Sequence, residues 1–157
     1  MKTTDTELRQ LAQDAYQVKG WLNLYVFAKA AVRDLRSWRV PVTSKTGKQI
    51  FVRFPRVKLY LKSKLGRLDM STETNQQDMA RIQKRLDPAE FDAFRARFSA
   101  MLDGVAHTIE AMSLITCQAT GRTGARRFSE PGGWVRTLLP SVAKRLQTAQ
   151  KRLSSWA

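Results

Sequence analysis

Residues 87–115 have the sequence DPAEFDAFRARFSAMLDGVAHTIEAMSLI, the clearest helical pattern in the chain. Asp87 offers a side-chain oxygen to the free amides of a first helical turn, Pro88 suits the first helical position, and Glu90 follows three residues after the cap. Apolar side chains then recur at steps of three and four residues, at Phe91, Phe94, Phe98, Met101, Leu102, Val105, Ile109, Met112 and Ile115. Because this spacing gives a helix one continuous apolar stripe, we predict central helices over residues 73–117, with this stretch as the core helix.

Helical patterns also occupy both ends of the chain. Over residues 6–38 the apolar side chains shift to another face near Gly20, which predicts either one long helix or two helices with a change of direction there. Another helical pattern begins near Pro140 and predicts a C-terminal helix over residues 140–156. We expect these terminal helices to cover the central helix.

The segment over residues 39–68 has a different pattern. Short runs of alternating apolar residues flank the turn-forming residues 44–47, which predicts a β-hairpin with a basic tip. Such a hairpin beside helices resembles the wing of winged-helix proteins, but the resemblance is one of architecture and rests on no sequence motif. Residues 56–65 fit either a strand or a helix, since their apolar positions match both periods. Residues 118–133 combine glycines with arginines and predict a basic loop.

Together these patterns predict a mainly α fold. We expect a single helical domain over residues 1–157 with a small basic β-hairpin, so that the α+β character is minor. A chain of this length buries roughly two thirds of the surface that it exposes when unfolded, so it needs no covalent crosslink. Cys117 is the only cysteine, which excludes an intrachain disulfide and a four-thiolate zinc site.

Charge is the most informative property of the composition. The chain has 28 Lys and Arg against 13 Asp and Glu, a formal net charge of +15. Residues 36–68 hold ten basic and no acidic side chains, residues 69–118 hold five basic and eight acidic ones, and residues 119–157 hold eight basic side chains against Glu130. A surface charged for solubility alone would mix the two signs, whereas concentrated positive charge attracts polyanions. We therefore expect nucleic acid as the partner.

The candidate nucleic-acid-binding residues come from these two basic regions. Cations on successive phosphates release counterions, while exposed rings such as Phe51 and Tyr60 stack on bases. The alternative is a basic surface that only contacts solvent. The predicted contacts are Arg36, Arg39, Lys45, Lys48, Arg53, Arg56, Lys58, Tyr60, Lys62, Lys64, Arg67, Arg122, Arg126 and Arg127.

Gly121-Arg122-Thr123-Gly124 has the glycine spacing of the loop with which KH domains hold a nucleic-acid backbone. The resemblance is limited to these residues, because the hydrophobic pattern around them is not that of a KH fold. It implies that this loop contacts phosphate, with an ordinary flexible loop as the alternative.

Residue types that carry out catalysis are scarce. His107, the single histidine, lies off the apolar stripe of its helix, so we expect it in solvent rather than on a metal. Cys117 has no base close to it in sequence and is expected to be a buried or half-buried thiol. Three carboxylates, Asp69, Glu73 and Asp78, would bind a divalent metal only if the fold gathered them. We predict no enzymatic activity, no cofactor and no metal site.

Neither a membrane span nor a secretory signal is indicated. The most apolar stretch is shorter than a span, and residues 1–7 are polar and include acids. We therefore expect a cytoplasmic protein with no membrane partner.

The function that fits these patterns best is non-catalytic nucleic-acid binding, with DNA favoured over RNA. Small size and high charge suit an accessory or regulatory factor of a bacterial plasmid, phage or other mobile element. One alternative is a small helical subunit of a larger nucleoprotein complex, with the acidic central helix docked on a protein partner or on a second copy of the chain. Another alternative is an adaptor or chaperone for an acidic protein.

Overall fold

The computed structural model describes residues 4–129 and 135–154. The α-helices in these ranges are α1 (Asp5–Tyr16), α2 (Leu22–Ser37), α3 (Gln76–Arg85), α4 (Pro88–Ile115) and α5 (Pro140–Ser154). The β-strands are β1 (Val40–Thr43), β2 (Gln49–Val52), β3 (Val57–Lys64), β4 (Arg67–Thr74), β5 (Arg126–Ser129) and β6 (Val135–Leu138). Within this part of the chain the strands form separate two-stranded antiparallel sheets, β1–β2, β3–β4 and β5–β6.

The prediction of a mainly α fold with one small hairpin is wrong, because three two-stranded sheets make the described chain a mixed α+β fold. Residues 56–65, for which the sequence left strand and helix open, contain the whole of β3, and the residues that follow turn back to form β4. The turn is made by Leu65 and Gly66, whose φ angles of 51° and 75° are left-handed, as in type I′ hairpin turns. The strand β4 was not predicted, and its last residues were assigned to the central helices.

The third sheet was also missed. β5 lies inside the predicted basic loop over residues 118–133, and both β5 and β6 are four residues long, too short to give a clear alternating pattern. Residues 130–133 of the predicted loop lie outside the described residues. The same is true of residues 155 and 156 of the predicted C-terminal helix, which otherwise begins at Pro140 as expected.

The amino-terminal pattern over residues 6–38 forms two helices, the second of the two alternatives. Thr4 caps α1 through a capping box, in which its hydroxyl oxygen accepts from the Glu7 amide at 3.3 Å and its own amide donates to the Glu7 carboxylate at 2.8 Å. Val18 then adopts a left-handed φ of 49°, and a 3₁₀ turn over Lys19–Trp21 leads into α2. The change of direction therefore falls around Gly20, where the sequence predicted it.

Residue contacts divide the chain into two compact units. Unit 1 comprises the described parts of Met1–Val26, Lys62–Asp69 and Ile109–Ala157. Unit 2 comprises Phe27–Leu61 and Met70–Thr108. The prediction of one domain over residues 1–157 stays a prediction.

The core of unit 2 forms along the first turns of α4. Phe54 is 1% exposed and lies between two rings of that helix, with its ring centroid 4.9 Å from that of Phe98 and 5.3 Å from that of Phe94. The apolar stripe predicted for this part of α4 is confirmed, since these phenylalanines are buried together with their neighbours. The other buried members of the cluster are Leu35, Val40, Val42, Val52, Ile82, Leu86, Phe91 and Leu102.

One buried cluster of unit 1 contains mainly small side chains, which allow backbones to approach closely, while larger residues such as Trp21, Leu68 and Ile109 are also fully buried in this unit. The members of the cluster are Ala15, Cys117, Ala125, Leu138, Val142, Ala143 and Leu146. The Gly20 amide donates to the Gln118 carbonyl oxygen at 2.7 Å, and the Trp21 indole donates to the Thr116 carbonyl oxygen at 2.8 Å. The predicted apolar stripe of α4 does not reach a core at its end, because Met112 and Ile115 are exposed.

Candidate nucleic-acid interface

The β1–β2 hairpin buries one face and exposes the other. Its register pairs Val40 with Val52 and Pro41 with Phe51. Because side chains alternate along a strand, both valines point into the core of unit 2 while Pro41 and Phe51 point away from it. Phe51 is 61% exposed, a large apolar surface in contact with water.

Four cations lie on the same hairpin as this exposed ring. Arg39 and Arg53 lie just beyond the paired positions, where the register continued by one step would set them opposite each other, and Lys45 and Lys48 lie in the turn. All four are exposed, and no described carboxylate lies within 4.0 Å of their side-chain nitrogens. We call Arg39, Lys45, Lys48, Phe51 and Arg53 the hairpin face.

The tip of this hairpin is fixed to the junction between α3 and α4. The Lys45 amide donates to the Arg85 carbonyl oxygen at 3.0 Å, and the Ser44 amide closes the turn on the Lys48 carbonyl oxygen at 2.8 Å. The Thr43 amide donates to the Glu90 carboxylate at 2.9 Å. Glu90 therefore binds the hairpin, whereas the sequence assigned its carboxylate to the cap of α4. These bonds hold the backbone that carries the lysines of the tip.

Two of the predicted nucleic-acid contacts, Arg36 and Arg56, form ion pairs with Asp78. Arg56 binds Asp78 through three donors, its amide and Nε at 2.9 Å and its Nη2 at 3.1 Å, and Arg36 Nη1 lies 3.3 Å from the same carboxylate. The Asp78 side chain is only 12% exposed. Hydrogen bonds from the Arg56 side chain and amide, helped by Arg36, hold the pKa of Asp78 well below its usual range. This carboxylate therefore neutralises part of the positive charge of residues 36–68.

Lys58 and Tyr60 lie on the exposed side of β3 within unit 2. The Lys58 ammonium is 5.7 Å from the centroid of the Tyr60 ring, and the Tyr60 hydroxyl donates to Glu73 at 3.0 Å. Tyr60 therefore already has a cation near its ring and a hydrogen bond at its hydroxyl, so it is less available to a base than Phe51.

The remaining predicted contacts lie in unit 1. Lys62 and Lys64 are exposed near the end of β3, whereas Arg67 forms an ion pair with Glu110 at 2.9 Å. Arg127 Nη2 donates to the Leu65 carbonyl oxygen at 2.7 Å, which joins the basic loop region to the β3–β4 turn. The predicted residues are thus distributed over both units, and within unit 1 the fold brings together cations that are far apart in sequence.

The glycine-rich loop does not present its first amides to a ligand. The Gly121 amide donates to the Cys117 carbonyl oxygen at 2.9 Å, and the Arg122 amide donates to the Thr120 hydroxyl at 3.4 Å. Gly121 also lies against Gly20, where a Cβ would come within 3.0 Å of the Gly20 carbonyl oxygen. Close backbone packing therefore explains why residue 121 is a glycine. The side chains of Arg122 and Arg126 are exposed to solvent.

Two further cations, Lys29 and Arg33, were not predicted as contacts from the sequence. Together with Arg36 they repeat at steps of four and three residues along α2, which places them on one side of that helix. They line a groove of about 370 Å³ in unit 2. Their spacing is present in the sequence, but the apolar positions that predict α2 carry no information about its cations.

The groups considered for catalysis are isolated. His107 is exposed and Cys117 is fully buried, both as expected. In the part of the chain that the structure describes, no three His, Cys, Asp or Glu side chains gather in a metal-binding group. None of the helices within residues 4–129 and 135–154 combines the length and hydrophobicity needed to cross a membrane.

Comparison with models of known protein families, with curated proteins and with solved structures gives no match for this chain.

Proposed function

We propose that this protein binds nucleic acid without catalysing a reaction, and that the hairpin face contacts the nucleic-acid strand. The observation that carries the proposal is an aromatic ring, Phe51, 61% exposed on a hairpin that also carries four exposed cations with no described carboxylate within 4.0 Å. A cation that contacts a phosphate releases condensed counterions, and an exposed ring gives a base a surface to stack on.

The structure of the hairpin supports this role. Val40, Val42 and Val52 are buried on its inner face, so the position of its outer face is set by the core of unit 2. The tip is also hydrogen-bonded to the start of α4 and the end of α3. A preorganised face of this kind loses little conformational entropy when it binds.

Unit 1 carries a second set of exposed cations, Lys62, Lys64, Arg122, Arg126 and Arg127. These residues would give unit 1 its own contacts to nucleic-acid phosphates. The proposal includes the expectations drawn from the sequence, that the ligand is DNA rather than RNA, that the role is accessory or regulatory in a mobile element, and that the protein acts in the cytoplasm.

Binding measured against salt tests the proposal. The wild type and three variants, Lys45→Glu/Lys48→Glu, Phe51→Ala and Lys84→Glu/Arg97→Glu, are titrated with duplex DNA, single-stranded DNA and RNA. The double reversal at the tip should weaken binding about tenfold or more and make the slope of log affinity against log salt shallower by about two, since two phosphate contacts are lost. Phe51→Ala should lower affinity for single strands by about fivefold or more without changing the slope, because it removes stacking and no charge.

Lys84→Glu/Arg97→Glu is the matched control. Both residues are exposed on helices of unit 2, and the pair changes the net charge by the same amount as the reversal at the tip. If the control weakens binding as much as Lys45→Glu/Lys48→Glu, only the total charge matters and the hairpin is not the docking site. No binding of any nucleic acid by the wild type would reject the function itself.

A second candidate function is a subunit of a nucleoprotein complex. Unit 1 exposes several large apolar side chains, and Tyr16, Leu22, Val26 and Ile115 are each more than half exposed. Such side chains are typical of protein-docking surfaces when they are contiguous. Tight binding of nucleic acid by the isolated chain favours the first function, whereas tight binding only in the presence of protein partners favours the second.

A further inference from the structure

A groove of about 370 Å³ in unit 2 lies between α2 and the segment that leads into β3. Its volume is in the range of small-ligand sites, roughly 300–1,000 Å³. The groove is separate in composition from the hairpin face, since no residue of that face lines it. Its cationic lining residues are Lys29, Arg33, Arg36 and Arg56.

Two of these cations are preorganised. Arg36 and Arg56 share the Asp78 carboxylate, which holds both guanidinium groups in position. Arg56 uses Nε and Nη2 on that carboxylate, so its Nη1 remains able to donate, and Arg36 uses only Nη1. A rigid guanidinium with N–H groups to spare is well suited to binding a phosphate or carboxylate.

The other two cations carry charge with no acid to offset it. Lys29 and Arg33 are exposed on α2, and the described residues place no carboxylate oxygen within 4.0 Å of their side-chain nitrogens. The four cations that line this groove are therefore offset by one carboxylate, that of Asp78, and the groove keeps a net positive charge. The complementary ligand is an anion.

The remaining lining is apolar. Val32, Val57 and Leu59 are half-buried and Pro55 is buried, so the groove offers hydrocarbon surface between the cations. A bare inorganic anion would leave that surface in contact with water. A ligand that joins an anion to an apolar body would cover it and gain from its burial.

We propose that this groove binds a small organic phosphate, with the phosphate on Lys29, Arg33 and the two arginines held by Asp78, and the apolar body on Val32, Val57 and Leu59. Phosphate is the anion that matches best, because its three oxygens accept from several guanidinium and ammonium donors at once. The apolar body is either an alkyl chain or the ring of a nucleotide. This site does not depend on the nucleic-acid contacts proposed for the hairpin face.

Calorimetric titration of the full chain with hexyl phosphate, adenosine monophosphate and inorganic phosphate tests the site. At least one organic phosphate should bind about tenfold more tightly than inorganic phosphate, because only the organic ligands cover the apolar lining. The preference between hexyl phosphate and adenosine monophosphate shows which apolar body the groove accepts. If inorganic phosphate binds as tightly as both organic ligands, or if none of the three binds, the proposal is wrong.

Variants locate the binding. Lys29→Glu/Arg33→Glu should raise the Kd of the organic phosphate about tenfold or more, since two charge-assisted contacts are replaced by repulsion. Leu59→Ala should raise that Kd about threefold while leaving inorganic phosphate unaffected. Lys84→Glu/Arg97→Glu, the control of equal charge, and Lys45→Glu/Lys48→Glu should both keep the wild-type affinity. Equal loss in either of these last two variants would place the ligand outside the groove, whatever the outcome of nucleic-acid binding.

Discussion

Replacing Gly20 by alanine should destabilise the protein strongly, although alanine is normally a harmless substitute at the edge of a helix. A Cβ on residue 20 would lie 2.0 Å from the Cys117 carbonyl oxygen, 2.5 Å from the Gly121 amide nitrogen and 2.8 Å from the carbonyl carbon of Gln118. All three atoms belong to the backbone, so no side-chain rotation relieves the overlap. The chain segments must separate to admit one methyl group.

The size of the effect follows from the hydrogen bonds that hold these segments together. Separation weakens the bond from the Gly20 amide to the Gln118 carbonyl oxygen, 2.7 Å long, and the bond from the Gly121 amide to the Cys117 carbonyl oxygen, 2.9 Å long. A buried donor or acceptor left without a partner costs about 1–3 kcal/mol, so we expect Gly20→Ala to lower the free energy of unfolding by about 2–4 kcal/mol.

Urea denaturation measures this change, and Gly104→Ala provides the control. Gly104 lies in α4, where an added methyl group would meet nothing within 4 Å, so the same substitution there should stabilise the protein by about 0.5–1 kcal/mol through its higher helix propensity. The buried indole of Trp21, next to Gly20 in sequence, gives a fluorescence signal for unit 1. A loss below about 0.5 kcal/mol for Gly20→Ala, the size of an ordinary surface substitution, would refute the close backbone packing.

Two further predictions concern acid stability and a turn. Because hydrogen bonds from Arg56 lower the pKa of Asp78 in the folded protein, its carboxylate adds stability above the usual aspartate pKa, about 3.9, and loses that contribution as the pH falls. Asp78→Asn should therefore lower the urea midpoint fully at about pH 7, and the effect should shrink progressively below about pH 4 as the pH approaches the lowered pKa of Asp78; an equal loss at about pH 7 and about pH 2 would contradict the ion pair. Leu65→Asn should raise the stability by about 1 kcal/mol and with it the Tm, because Leu65 and Gly66 occupy left-handed positions that Asn-Gly prefers. The bond from the Arg127 side chain to the main-chain carbonyl of residue 65 is unaffected by the change, so a lower Tm would show that the leucine side chain, not the turn, matters.

Local patterns were sufficient for the elements that bury a regular stripe or face. The phenylalanines of α4 repeat with the period of a helix, and the same side chains form the core of unit 2. The first hairpin was also predicted, since turn residues and alternating apolar positions lie next to each other in the chain. In both cases the interacting residues are neighbours in sequence, so the sequence contains the signal.

The same patterns failed where a short strand needs a partner to exist. The sequence pattern of β3 alone fits either a helix or a strand, and only its pairing with β4 makes it a strand. β5 and β6 are too short to show a period by themselves. Pairing satisfies backbone hydrogen bonds that a single strand leaves open, and this gain belongs to the pair. The mixed α+β fold therefore depends on contacts that no single segment encodes.

For the candidate site, the sequence by itself determined how much positive charge there is and in which segments it lies. Tertiary structure alone decided which of those cations form an ion pair. Asp78 binds Arg36 across 42 positions and Arg56 across 22, and Glu110 binds Arg67. The cations of the hairpin face have no such partner among the described carboxylates. The physical reason is that electrostatic pairing depends on distance in space and is screened beyond about 8 Å at physiological salt, whereas a sequence records only the order of the charges.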